Sequence, residues 1–481
     1  MKKKIRYISL LLLPVLLSGL GAFMSCSKDE FNTDQAYRLE FSTDTVLFDT
    51  VFTTVGSATS SLVIRNTTNK KINISSVKLA RGKASPFRLN IDGLATEEFD
   101  NLEIGANDSS FIFVKVTIDP NNADNPLVQT DSVVFVTNGN IQDVKLVAWG
   151  QDAYFHHSAV ISGDTTFPAN KPHVIYGKLT ALTGSVLNLT AGTRLYFHNG
   201  SSLEIRKGAS ISVAGTLESP VIFSADRLED YYLDKPGLWD GIWLKNGSIN
   251  NSFTYAEIYN AKVGIQADSC GLTGGEPLRL HNCLIHNMTN FGLRATKSQI
   301  VATNCQVTNC GGNTVSIENG GNYEFRNCTF ANYWSSSSRR YPALSLSNYT
   351  YDTSGVIKVF SALTGAYFGN CIITGNQADE IELLKVDDVD FNFLFDRCLV
   401  QWTEKQEFAS GFNKCIYNKE VKFIDPMINN FQLDTLSAAK DSAWVSIINL
   451  SPTDITHDRK GISRLVDVQP DLGAYERVEK R

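Results

Sequence analysis

Asp387-Asp388-Val389-Asp390, with Asp396 and Arg397 following, puts four carboxylates within ten positions. Side chains alternate along a strand, so Asp388 and Asp390 would share one face. Carboxylates so placed can trade protons with a substrate, or hold Ca²⁺ if a neighbour completes an oxygen cage. A solvated acidic corner has the same composition. Tyr333-Trp334-Ser335 through Ser338-Arg339-Arg340-Tyr341 is a second candidate. Aromatic faces stack on sugars, and guanidinium groups pair with carboxylates. Trp334, Arg339, Arg340 and Tyr341 are therefore the glycan-binding candidates, against the alternative that the loop folds its rings back onto a core. His281 and His286, with the pair His156-His157, form a third group. Five positions apart, His281 and His286 need not share a face, and structural roles weigh more. No paired C-x-x-C or histidine cluster is present, so no metal site is expected. The catalytic set is unknown, with Asp387, Asp388, Asp390 and Asp396 as its candidates.

Cys26 suggests chemistry of another kind. Lys2, Lys3, Lys4 and Arg6 precede an apolar run, Ile8–Leu20, and Phe23-Met24-Ser25-Cys26 closes the stretch. Residues 1–25 read as a signal peptide, and the run is short for a membrane span of roughly 20 residues. A small residue before cysteine resembles the lipobox of bacterial lipoproteins. That resemblance implies cleavage before Cys26 and its acylation, with the bilayer as partner through palmitate-like chains. The alternative is an ordinary secretory signal with a chance cysteine. Ser27-Lys28-Asp29-Glu30 resembles the surface-export signal of Bacteroidetes lipoproteins. It implies a lipid anchor in the outer membrane, facing the cell surface.

The chain has 481 residues and a net charge of −6, and loss of the leader's four cations makes it more acidic. An acidic surface argues against nucleic acid as a partner. Abundant glycine and few methionines, 34 and 4, accompany plentiful Thr, Ser, Asn, Val and Ile, a balance that favours strands and turns.

Residues 26–36 read as a lipidated tether. Residues 37–152 carry short alternating runs, among them Ser61–Arg65, Ile72–Leu79, Ser110–Ile118 and Val144–Trp149. Turn signals such as Asn66–Lys70 and Gly105–Asp108 separate them. Six to eight such strands predict a β-sandwich. Leu62-Val63-Ile64-Arg65-Asn66, Ile72-Asn73-Ile74 and Phe113–Pro120 resemble hydin-like immunoglobulin modules, which implies a spacer or interaction domain.

From residue 155 the pattern becomes repetitive. Cys283-Leu284-Ile285, Cys305-Gln306-Val307 and Cys328-Thr329-Phe330 recur at steps of 22 and 23, and Cys371 and Cys398 continue the series. Asn282, Asn304, Asn327 and Asn370 precede four of these cysteines. Such a period with Gly and Asn corners predicts a solenoid, here a right-handed parallel β-helix over 155–422. Cysteine and the apolar residue two positions on should both point inward, the thiols as small apolar core groups. A Cys305–Cys310 disulfide remains possible.

Pro220-Val221-Ile222-Phe223 and Trp239-Asp240-Gly241-Ile242-Trp243 resemble the pectin-lyase-like superfamily. So do Phe423-Ile424-Asp425-Pro426, Asp458-Arg459-Lys460-Gly461 and Pro470-Asp471-Leu472-Gly473-Ala474-Tyr475-Glu476, near the end. The resemblance implies that 423–481 is a closing segment that covers the open end of the solenoid. The fold class is thus all-β, an immunoglobulin-like sandwich followed by a right-handed parallel β-helix. Many members of the superfamily are polysaccharide lyases or hydrolases. The Asn-Thr-Asp, Asp-Asp and His-Gly series of polygalacturonases is missing here. The expectation is a non-catalytic scaffold or adhesin for glycan or a surface protein, with no cofactor unless Ca²⁺. The alternative is a lyase or hydrolase acting on an acidic glycan.

Overall fold

A computed structural model describes residues 30–120, 127–272, 274–351, 357–403, 405–451, 453–466 and 469–479. Cys26 and the leader lie outside the described residues. The chain divides into two compact units, 1–151 and 152–481.

The first unit is a β-sandwich of two five-stranded sheets. In one, Ser60–Arg65 lies between Glu40–Phe41 and Ser109–Val116, with Phe87–Ile91 and Leu94–Thr96 beyond. In the other, Asn140–Gln151 pairs parallel with Thr45–Phe52 and antiparallel with Leu127–Thr137. Alternation decides the faces: in Ser109–Val116, Ile112, Val114 and Val116 are buried while Phe111, Phe113 and Lys115 face out. Phe41 and Phe135 meet with ring centroids 4.8 Å apart. Buried Asn66 closes the turn that its sequence signals, donating to the carbonyls of Lys70, Ile104 and Gly105. Ten strands form where the sequence suggests six to eight. The additional ones, such as Glu98–Ile104, are half-exposed and lack a continuous apolar alternation.

The second unit is a parallel β-helix with three faces. Face A is an 11-stranded sheet running from Tyr154–His157 to Ile416–Tyr417. Faces B and C share a 17-stranded sheet, because Phe291–Thr303 and Val315–Arg326 each run through both. Face B includes Lys178–Ala181, Trp239–Leu244, Leu344–Ser347 and Ile381–Leu384, and face C includes Val186–Thr190, Leu278–His281 and Leu394–Asp396. One coil alone cannot bury its inner face. Stacking removes each inner Leu, Ile or Phe from water, worth about 1.5–3 kcal/mol apiece. The result is one core from Ile161 to Phe408.

The corner before face A explains the recurring Asn-Cys pair. Asn282, Asn304, Asn327 and Asn370 have φ between 50° and 54°, a left-handed bend that asparagine tolerates. Each bend turns the following cysteine inward. Cys283, Cys305, Cys328, Cys371 and Cys398 are buried, and Cys415 is half-buried on the last rung. All eight of these and the other described cysteines are free, Cys305 and Cys310 among them. The two thiols instead donate to the carbonyls of Thr303 and Thr308, at 3.3 and 3.7 Å.

Inside face C, Phe325, Phe368, Phe395 and Phe412 stack at 4.9, 4.6 and 4.7 Å, and Trp402 covers Phe412 at 4.4 Å. The last rung is thus covered by a loop that precedes the tail. The sequence predicts that 423–481 does this. The structure lays that segment along the side of the helix instead, against face A. Phe423, Phe431, Leu433, Leu472 and Ala474 cluster with the outward side chains Ala331, Ile372 and Leu399. Those face A positions are apolar, so water is excluded there only if the tail lies over them.

Candidate functional site

The acidic run occupies the corner between faces B and C in the last coils. Asn348, fully buried, clamps it: its amide donates to the carbonyls of Val386 and Val389 at 2.8 and 3.2 Å and accepts from Val386 N at 2.9 Å. The carboxylates do not converge. Asp387 pairs with Lys385 at 2.9 Å and its side chain is 87% exposed, and Asp388 and Asp390 point to solvent. Asp396 lies on face C and accepts from Asn413 Nδ2 at 2.8 Å. Among the described residues no three His, Cys, Asp or Glu side chains come together as a metal cage.

What Asp387 does join is an opening of about 350 Å³. Lys385, Asp387, Asn392 and Glu407 form its rim, and Phe391, Phe393 and Phe408 its floor. Phe393 packs edge to face on Phe391 and Phe408 at 5.6 and 6.1 Å, and Phe391 lies tilted to Phe408 at 6.3 Å. Position 411 must be glycine for this, since a Cβ there would stand 2.1 Å from the Phe393 ring. Lys385 and Glu407 carry no spacing signal that joins them to Asp387. Only the coil geometry does so.

The Tyr333–Tyr341 loop divides. Trp334 is 5% exposed, and its indole N–H donates to Ser337 Oγ at 3.0 Å. Arg339 is spent on a buried ion pair with Glu380, the side chains 2% and 0% exposed. Arg340 and Tyr341 stay exposed. The histidines bond to threonines one rung away, His281 to Thr303 at 2.8 Å and His286 to Thr308 at 2.9 Å. His156 faces His173 at 3.0 Å, and burial pushes His173 down to about 4.

A polar row runs along the outward side of face B, with Trp243, Arg294 and Glu382 half-buried and the smaller side chains between them buried. Thr180, Glu204, Trp243, Gln266, Arg294, Ser316, Ser345 and Glu382 occupy one position on successive rungs. Rungs are spaced about 4.8 Å apart, so this row forms an axial track. Glu204 and Arg294 in it are ion-paired, and Glu382 accepts from Ser345 Oγ at 3.1 Å. Lys178 pairs with Glu204 at 2.7 Å and Lys262 with Asp240 at 2.8 Å. Arg294 holds Glu318 through two bonds of 2.8 Å. Trp243 is half-buried with Lys245 over its ring at 4.5 Å. The row's last strand, Ile381–Leu384, leads into Lys385 and the opening.

Carboxylates with raised proton affinity lie elsewhere. Burial, then the charge of Asp471, pushes Glu476 up to about 8, and burial pushes Asp471 up to about 6. Both belong to the tail itself, beside fully buried Arg464. Burial also raises Asp226, which accepts from His198 at 2.7 Å on the corner after face A.

Residues 189–339 match the family model described as "Right handed beta helix region". The coils are thus those of a right-handed β-helix, an architecture that fits the pectin-lyase-like superfamily. No curated protein matches the chain. Similar solved structures include a family 123 glycoside hydrolase from Clostridium perfringens, at 12% identity and TM-score 0.17, over 23% of this chain and 25% of that one. The ASH / PapD-like domain of human CEP192 is 10% identical with TM-score 0.17, over 24% and 85%. A protein of unknown function from Porphyromonas gingivalis is 13% identical with TM-score 0.18, over 27% and 58%. The chain thus spans a quarter of the hydrolase's length. Likenesses this partial carry no weight for activity.

Proposed function

We propose that this protein is a lipid-anchored outer-membrane protein on the cell surface. It acts as a non-catalytic binding scaffold or adhesin that holds a glycan along face B of its β-helix. The reading rests on the polar row from Glu204 to Glu382, in which Glu204 and Arg294 are ion-paired; it passes Trp243 and ends at the aromatic-floored opening. Paired charges leave hydrogen-bonding groups without a net field, which suits an extended, polar glycan chain. The opening lies within the ~300–1,000 Å³ range of ligand pockets. Acylated Cys26 supplies the anchor, and the sandwich, read as an immunoglobulin-like module, serves as the stalk.

A glycan array with residues 27–481, followed by mass analysis of each hit, tests this. Binding without cleavage, weakened by Trp243→Ala and Phe391→Ala, is the expected result. Silence across the array would refute it in favour of a protein partner.

One observation favours a second reading, a hydrolase or lyase: Asp387 and Glu407 stand on the rim of one opening. Glycosidases flank the scissile bond with two carboxyl groups, one of them kept protonated by burial. Both rim groups are exposed, which favours binding. Products in the mass analysis, lost in Asp387→Asn and Glu407→Gln, would reverse that preference.

A further inference from the structure

Face A carries a smaller cavity, of about 120 Å³, between the loop after Asn332 and the tail turn Pro426–Ile428. We propose that this cavity is a second binding site, for a single neutral hexose-type ring, and that it is complete only with the tail docked. It lies on a different face from the glycan row and does not depend on that reading.

His286 is the anchor of the argument. It projects outward from the strand Leu284–Met288, is 5% exposed and lines the cavity. Its Nδ1 is bonded to Thr308. Its other ring nitrogen has no partner among the described residues. Burial pushes the imidazole down to about 4, so it is neutral at physiological pH and offers one donor or acceptor.

The remaining wall is built in the same way, with one half of each amide committed and the other free. Asn287 Nδ2 donates to Asn260 Oδ1 at 2.7 Å, which leaves its carbonyl oxygen. Asn429 Oδ1 accepts from Asn309 Nδ2 at 3.0 Å, which leaves its amide hydrogens. Asp234 adds an exposed carboxylate able to accept from two adjacent hydroxyls. Trp334 supplies the apolar wall, its plane set by the bond to Ser337. Position 311 accommodates the ring because it lacks a Cβ, which would stand 3.2 Å from Cζ2.

Convergent donors and acceptors around one aromatic wall fit a polyhydroxylated ring. Among the described residues no cation lines the cavity, and Asp234 repels an anion, so an acidic sugar is disfavoured. The volume admits one ring rather than a chain. Asn429 belongs to the tail, so the segment that covers face A also finishes the site.

The test uses residues 27–481 and saturation-transfer NMR, with methyl glycosides of glucose, galactose and mannose as probes and glucuronate as the charged control. The variants are Asp234→Ala, Asn429→Gly and Trp243→Ala, each checked by thermal melting. Glycine suits the left-handed φ of 63° at position 429. A neutral glycoside should bind and lose about tenfold in affinity in the first two variants, the scale of one lost hydrogen bond. Trp243→Ala should leave it unchanged. The proposal is overturned if no neutral glycoside binds, if glucuronate binds better, or if Trp243→Ala weakens binding while Asp234→Ala does not. Trp243→Ala and Phe391→Ala report on face B, and Asp234→Ala and Asn429→Gly on this cavity, so either site can fail alone.

Discussion

Arg339 and Glu380, 41 positions apart in the chain, form an ion pair from which water is excluded. Arg339 Nη1 donates to Glu380 Oε2 at 2.8 Å and also to the carbonyl of Tyr341. Glu380 in turn accepts from Ala343 N at 2.7 Å and Gln377 N at 2.8 Å. The pair fixes where the Trp334 loop returns to face B. Removing one partner leaves the other charge buried and unpaired. Arg339→Ala should therefore cost about 3–5 kcal/mol, whereas exposed Arg340→Ala should change stability by less than ~0.5 kcal/mol. Urea unfolding of both variants checks this, and equal midpoints would contradict it.

The buried acids of the tail make stability depend on pH. Glu476 is raised to about 8 and Asp471 to about 6, both first by burial. Unfolding releases them to ordinary carboxylate affinities near 4. Their contribution is full below that value and declines as pH rises through 6 and towards 8. Glu476→Gln mimics the protonated form and should flatten the decline. Melting temperatures across this range, for both proteins, decide the point, and a wild-type profile that rises towards pH 8 would refute it.

Removing the tail should be severe although Trp402 still covers the last rung. A chain ending at residue 422 exposes the outward side chains of Ala331, Ile372 and Leu399 and loses the Arg459–Glu257 pair, 2.6 Å. The expected outcome is aggregation on refolding. A monomeric truncation with unchanged melting would show that face A does not need its cover.

The thiol ladder should be chemically silent. Seven of the eight described cysteines are buried, and Cys415 alone is half-exposed, on the final rung. Alkylation of the folded protein should label Cys415 first and the others only on unfolding, as read by peptide mass analysis. Cys305→Asp should cost about 3–5 kcal/mol as an unpaired buried charge. Unchanged melting would mean that position 305 does not face the core.

Cys26→Ala tests the anchor. The variant should leave the membrane fraction for the soluble one, and its persistence in membranes would exclude acylation as the attachment.

The repeated Asn-Cys-x-Ile/Val/Phe pattern made the solenoid legible, because a left-handed corner and a two-residue strand period each demand particular residues at fixed spacing. Its inward side and its corners follow from that alone. The candidate site was legible only in part. Asp387 could be named as a carboxylate in an acidic run, yet its neighbours Lys385, Glu407 and the three phenylalanines are joined to it by stacking of coils. Trp334 and Arg339 have the composition of a sugar-binding loop, and nothing local distinguishes a ring that faces solvent from one folded back.

Residue type and period thus determine the all-β class, the coil repeat and the burial of the cysteines, since these depend on contacts between equivalent positions. Tertiary structure alone decided the path of the tail, the isolation of Asp396 from Asp387 and the row that joins Glu204 to Glu382. Each depends on contacts between residues tens to hundreds of positions apart. Such contacts form only when the coils are stacked, and no local spacing encodes them.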